Sequence, residues 1–130
     1  MTMQKLSLTT EVIVIGAGPV GMLLACCLQH HGIKCVVLEK RPQPYRHTRA
    51  IGIHAPSLRI FEKIGLVAQL LEQGVRISQG AAYSRGRCLG RLSFASCPGP
   101  YNFVLTVPQY ETERILEASL AARDPACLRR

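Results

Sequence analysis

A single aspartate, no tryptophan, and only four tyrosines and three phenylalanines set the first limits on this 130-residue chain. With Asp124 alone, aspartate dyads, Asp-containing triads and calcium loops cannot be assembled from these residues. So few aromatic rings provide no stacking platform for nucleic-acid bases. The chain is basic, with twelve Arg and four Lys against seven Glu and one Asp, a formal charge of +8. Those cations are scattered or lie in loops, Lys40, Arg41, Arg46 and Arg49 in one group and Arg85, Arg87 and Arg91 in another. A nucleic-acid partner is therefore not expected, since such a partner calls for a basic stripe along one face.

Paired metal-type cysteines are also missing. None of Cys26, Cys27, Cys35, Cys88, Cys97 and Cys127 forms a C-x-x-C pair. Small buried thiols in a reducing cytoplasm are the expected state, with no metal site. An uninterrupted membrane span is absent too. Residues 12–28 carry no charge, but Gly16, Gly18, Pro19 and Gly21 break a run already short for a crossing. No cleavage site is followed by a plausible mature start. A soluble, cytoplasmic chain of one domain is expected, with no repeat and no low-complexity tail.

The informative stretch lies inside that uncharged run. Val12 to Ile15 form a β-branched run suited to a parallel strand covered on both faces. The sequence then reads Gly16-Ala-Gly18-Pro-Val-Gly21. In such a turn the first glycine permits the sharp bend and the second lets backbone approach phosphate. The third lets a helix pack closely on the strand. Free N–H groups and the helix dipole make the following helix start attractive to an anion. Met22 to Leu28 are apolar nearly all round, as expected for a buried crossover helix, and Gly32 stops it. His30 and His31 in its last turn complement the dipole rather than bind a metal, because adjacent helical residues point apart.

Cys35 to Leu38 predict a second strand, ending at Glu39. A carboxylate there can accept hydrogen bonds from both hydroxyls of an adenosine ribose, the plain alternative being a solvated strand-end acid. Strand, glycines, helix, second strand and acid together point to a dinucleotide. Residues 40–54 form a Pro-rich basic loop in which Arg41, Arg46 or Arg49 is a candidate to close over a diphosphate.

Further on, Leu58, Phe61, Ile64 and Leu66 recur at helical spacing, and a second short helix continues through Leu71. Residues 75–96 predict a β-hairpin around Ala82-Tyr83 and Leu89 to Phe94. Val104 to Val107 read as a strand, and Pro108-Gln109 opens a helix with Glu111 and Glu113 in its first turn. Asp124 to Arg130 show no pattern. The expected segments are 10–74 for the βαβ unit and its following helices, 75–107 for a hairpin and strand, and 108–122 for a helix.

Four stretches carry a resemblance to a known family: Val12–Gly21; Val36-Val-Leu-Glu-Lys-Arg41; Thr48-Arg49-Ala50 with Gly52-Ile53-His54 and Leu58–Leu66; and Val107-Pro-Gln109-Tyr-Glu-Thr-Glu113-Arg-Ile-Leu116. Across about residues 10–120 the chain resembles the N-terminal part of the class A flavoprotein monooxygenases, the group that includes the aromatic-ring hydroxylases. The resemblance implies an α/β fold, a Rossmann-like FAD-binding βαβ unit with part of a small β-rich substrate-domain segment. It also implies FAD on the diphosphate cradle Gly16, Gly18, Pro19, Val20 and Gly21, with Glu39 at the ribose. Lys40 and Arg41 become neighbouring cofactor-binding positions. Arg49 falls at the diphosphate and Gln109 at the ribityl–flavin side. The activity implied is hydroxylation of a small, often aromatic substrate with NAD(P)H and O2, the chemistry being carried by the flavin. The family's downstream Gly-Asp motifs do not occur here, so the expectation is an incomplete enzyme. The alternatives are a non-catalytic nucleotide-binding fragment or another FAD-dependent oxidoreductase.

Overall fold

The computed structural model describes residues 9–44 and 52–130. Along the chain the elements run β1 (Val12–Ile15), α1 (Pro19–His30), β2 (Cys35–Leu38), β3 (Gly52–Ile53), α2 (Ala55–Lys63) and α3 (Val67–Gln73). They continue with β4 (Val75–Ile77), β5 (Gln79–Ser84), β6 (Arg87–Ser93), β7 (Val104–Thr106), α4 (Gln109–Arg123) and β8 (Leu128–Arg129). The described residues fall into two compact units, 9–44 with 116–130 and 52–115.

The first unit is the βαβ arrangement that the sequence predicts. β1 and β2 pair in parallel from Val12 opposite Cys35 to Ile15 opposite Leu38. Helix α1 starts at Pro19, where the missing N–H costs nothing. It stops where Gly32 adopts a φ of +74° and the Ile33 N–H donates to the Leu28 carbonyl at 3.0 Å. Met22, Ala25 and Cys26 from α1, Val14 and Val37 from the strands, and Leu116, Leu120 and Cys127 form the core.

Two features of this unit depart from the sequence reading. The seven C-terminal residues, which show no periodicity, supply a third parallel strand, giving the order β1-β2-β8. The Val37 N–H donates to the Cys127 carbonyl at 2.7 Å and the Glu39 N–H to the Arg129 carbonyl at 2.8 Å. A strand of two residues is too short to display an alternation. Also, β1 is covered on one face only: Val14 is buried, whereas Ile13 and Ile15 are 58% and 79% exposed. The helical layer lies on the Val14 side, as Met22 and Ala25 show by their complete burial.

The second unit contains the antiparallel sheet β3-β7-β4 and the separate hairpin β5-β6. The predicted hairpin forms, with a bulge at Ala82/Tyr83. Its two-residue turn has both Arg85 and Gly86 at positive φ, 47° and 76°. Val75 to Ile77 do not join it. They form β4 and pair with β7. The end of the presumed loop 40–54 likewise becomes strand, Gly52 and Ile53 pairing with Thr106 and Leu105. Leu58, Phe61, Leu70, Leu105 and Val107 are buried in this unit, so the helical spacing of α2 and α3 reflects packing.

Gly74 sits against this core. A Cβ there would lie 2.6 Å from Val107 Cγ2 and 2.7 Å from Leu105 Cδ1, whereas one at Gly80 would meet nothing within 4 Å. Gly74→Ala is therefore expected to lower unfolding stability by about 1–3 kcal/mol through overpacking. Gly80→Ala should stay within about 0.5 kcal/mol of the parent. Chemical denaturation of the two variants checks the pair.

Candidate functional site

The site is built at the C-terminal ends of the parallel strands, where open α/β sheets bind their ligands. At the end of β1, Gly16 has a φ of +103°, a conformation that disfavours any side chain, and its N–H donates to the Leu38 carbonyl at 2.7 Å. Gly18 then caps α1 with extended backbone and no side-chain hydrogen bond. One turn later, a Cβ on Gly21 would overlap the Gly16 carbonyl oxygen and lie 3.3 Å from Val14 Cγ1. Only a glycine at position 21 lets the helix come this close to the strand.

The three glycines thus have different reasons. Gly16 answers to conformation and Gly21 to packing. A Cβ on Gly18 would meet no atom of the described residues within 4 Å, so nothing among them requires a glycine there. What it leaves is open space in front of the first turn of α1, beside Pro19 and the 82%-exposed Val20. That turn contains no acidic residue. Unsatisfied N–H groups, a favourable dipole and the absence of a competing carboxylate suit a phosphate group.

Glu39 closes the other side. Its Oε2 accepts the Ala17 N–H at 2.8 Å, and its Oε1 accepts both the Arg41 N–H at 3.0 Å and Arg41 Nε at 3.1 Å. The Glu39 side chain is only 7% exposed and that of Arg41 44%. The Arg41 side chain first, then the Ala17 and Arg41 N–H groups, hold the Glu39 carboxyl down at about 2. The acid is ionised throughout the neutral range and points back at the glycine turn. Beside it a cavity of about 390 Å3 is lined by Ile15, Leu38, Glu39, Lys40, Arg129 and Arg130.

An open helix start, an ionised carboxylate and a cavity thus lie together at the ends of β1 and β2. The residues so brought together are Gly16, Gly18, Pro19, Val20, Gly21, Glu39, Lys40 and Arg41. Arg46 and Arg49 lie outside the described residues. Gln109 begins α4 in the second unit, where its Nε2 donates to Glu113 Oε1 at 2.8 Å.

Sequence reasoning missed Ala17, because what it contributes is a backbone N–H that no side-chain pattern announces. It also missed Arg129 and Arg130, hidden in the unpatterned C-terminal stretch. The cysteines take no part. Cys26, Cys35 and Cys127 are buried, and burial first of all raises the Cys26 thiol to about 11 and that of Cys35 to about 12. Neither is a nucleophile at neutral pH. Among the described residues no three His, Cys, Asp or Glu side chains are grouped to hold a metal ion. No helix among them is long and apolar enough to cross a membrane.

Comparison with known proteins places this geometry. The sequence profile of the family described as FAD binding domain matches residues 9–130. Rifampicin monooxygenase of Streptomyces venezuelae is 38% identical over 109 residues, covering 82% of this chain and 22% of the relative. Pentachlorophenol 4-monooxygenase of Sphingobium chlorophenolicum is 33% identical over 118 residues, covering 89% of this chain and 22% of that protein. The solved structure of the anhydrotetracycline hydroxylase of Streptomyces rimosus superposes with a TM-score of 0.79 at 31% identity, over 93% of this chain and 24% of its own. The fold also matches p-nitrophenol 4-monooxygenase of Pseudomonas putida, with a TM-score of 0.83 at 24% identity, over 91% and 31% of the two chains. This chain thus spans about a fifth of the length of its curated relatives.

The depressed Glu39 carboxyl gives a signed pH prediction. A group held at about 2 against an ordinary 4.5 stabilises the fold fully above about pH 4.5 and loses that contribution as pH falls towards 2. The stability–pH curve of Glu39→Gln should be flatter than the parent's between those values and parallel to it above them. Urea unfolding at a series of pH values measures this.

Proposed function

Because the chain belongs to the FAD binding domain family, we propose that it provides the adenosine and diphosphate seat of an FAD-dependent monooxygenase. The complete enzyme, in this reading, hydroxylates a small, aromatic substrate using NAD(P)H and O2. What carries the reading is the juxtaposition of an open cradle at Gly18 with an ionised Glu39, tied to it through the Ala17 N–H. The names of the similar proteins, monooxygenases and a hydroxylase, support the reaction class.

Each residue then has a stated task. The N–H groups at the start of α1, reached past Gly18, receive the diphosphate, while Gly16 and Gly21 keep the turn and helix in register. Glu39 takes the ribose hydroxyls, and Lys40 and Arg41 flank it. Arg49 adds a full positive charge over the diphosphate, which partial backbone charges alone do not neutralise. Gln109, oriented by Glu113, serves the ribityl–flavin side. Bound FAD supplies the redox chemistry; this chain's residues bind and orient it. A second reading is nucleotide binding without turnover, for which the open helix start at Gly18 and the ionised Glu39 suffice.

Purified protein equilibrated with FAD and freed of excess ligand should retain a visible flavin absorbance band. Gly18→Ala should fold with the parent's unfolding midpoint, since its Cβ meets nothing, yet bind FAD at least about tenfold more weakly. Equal flavin retention by parent and Gly18→Ala would contradict the cradle. Flavin-dependent oxidation of NAD(P)H by the loaded chain would contradict the second reading.

A further inference from the structure

We propose that Arg41 sets how strongly this chain reads the two hydroxyls of a nucleotide ribose, by occupying acceptor sites of Glu39 that the second hydroxyl needs. The inference rests on the proposed ribose role of Glu39 and goes beyond it to a specificity-determining neighbour.

A carboxylate offers about four acceptor sites, two on each oxygen. On Oε1 both are taken, by the Arg41 N–H at 3.0 Å and Arg41 Nε at 3.1 Å. On Oε2 one is taken by the Ala17 N–H at 2.8 Å. A single site is left, whereas a ribose diol brings two hydrogens. For both hydroxyls to be accepted, one of the three present donors has to leave.

The three donors are not equally free to go. The Ala17 N–H belongs to the backbone between Gly16 and Gly18, and its turn is held by the Gly16 N–H bond to the Leu38 carbonyl. The Arg41 N–H is backbone two residues beyond Glu39, whose own N–H is fixed on the Arg129 carbonyl. Arg41 Nε is carried by a flexible side chain that is 44% exposed, so water can satisfy it on release. The guanidinium side of the pair faces solvent while the carboxylate side is covered, so displacing the clasp offsets part of what the second hydroxyl gains and moderates the reading of the diol rather than preventing it. Arg41 is a side chain that competes with the ligand for the acid it orients.

The test isolates the diol from charge and folding. The affinity of the full chain for ADP is divided by its affinity for 2′,3′-dideoxy-ADP, both measured by isothermal titration calorimetry. Both ligands carry the same diphosphate, so the loss of a cation cancels in the ratio. In Arg41→Ala the ratio should rise about three- to tenfold over the parent, and in Arg41→Lys it should lie between the two. In Glu39→Gln it should drop towards one. A ratio lost in Glu39→Gln but unchanged or lowered in Arg41→Ala overturns the role of Arg41 alone. A ratio that survives Glu39→Gln, or a parent that binds neither nucleotide, overturns the ribose reading itself.

Discussion

The contact on which the site depends is the close approach of the first turn of α1 to the end of β1. Where Gly21 passes the Gly16 carbonyl there is no room for a Cβ. That approach fixes where the helix start points, and hence where its unsatisfied N–H groups and its dipole converge. In the same turn Gly16 adopts a φ of +103°. Two glycines are spent on geometry so that the third, Gly18, can stand before open space. The anion seat proposed at this helix is therefore a consequence of packing.

Glu39 extends the constraint from one strand to the next. Its backbone N–H is bonded to β8 and its carboxylate to the Ala17 N–H of the glycine turn. A strand-end acid is usually solvated; here three hydrogen bonds restrain it, and its carboxyl falls to about 2. The turn, β2 and β8 are consequently linked through a single residue. The burden of orienting that side chain falls on Arg41 and Ala17, neither of which belongs to the glycine pattern.

Legibility of the chain followed the length and strength of each local signal. β1, α1 and β2 combine β-branched runs, a continuous apolar helix and three glycines at fixed spacing, so local preference and tertiary position agree. The hairpin was readable from the short apolar alternation around Ala82-Tyr83 and Leu89 to Phe94, while its Arg85-Gly86 turn emerged only on folding. β3 and β8 each have two residues, and their strand character comes entirely from partners distant in sequence. β4 was merged with the hairpin because Val75 to Ile77 lie only one residue from β5, yet they pair with β7 instead. In the site, side-chain candidates at Glu39 and the glycines were visible. The Ala17 N–H, the Arg129 carbonyl and the three-donor arrangement on Glu39 are products of folding that no residue type encodes. The assumption that β1 is covered on both faces came from its composition, and composition does not say which neighbours a strand has.

The account stands on one claim, that this chain recognises the adenosine diphosphate half of FAD. Equilibrium dialysis against FAD, ADP and FMN tests it most directly, since FMN carries the flavin and one phosphate but no adenosine ribose. The account predicts that FAD and ADP bind with affinities within about tenfold of each other and that FMN does not compete with either. Binding of FMN as tightly as FAD, with ADP ignored, would contradict it.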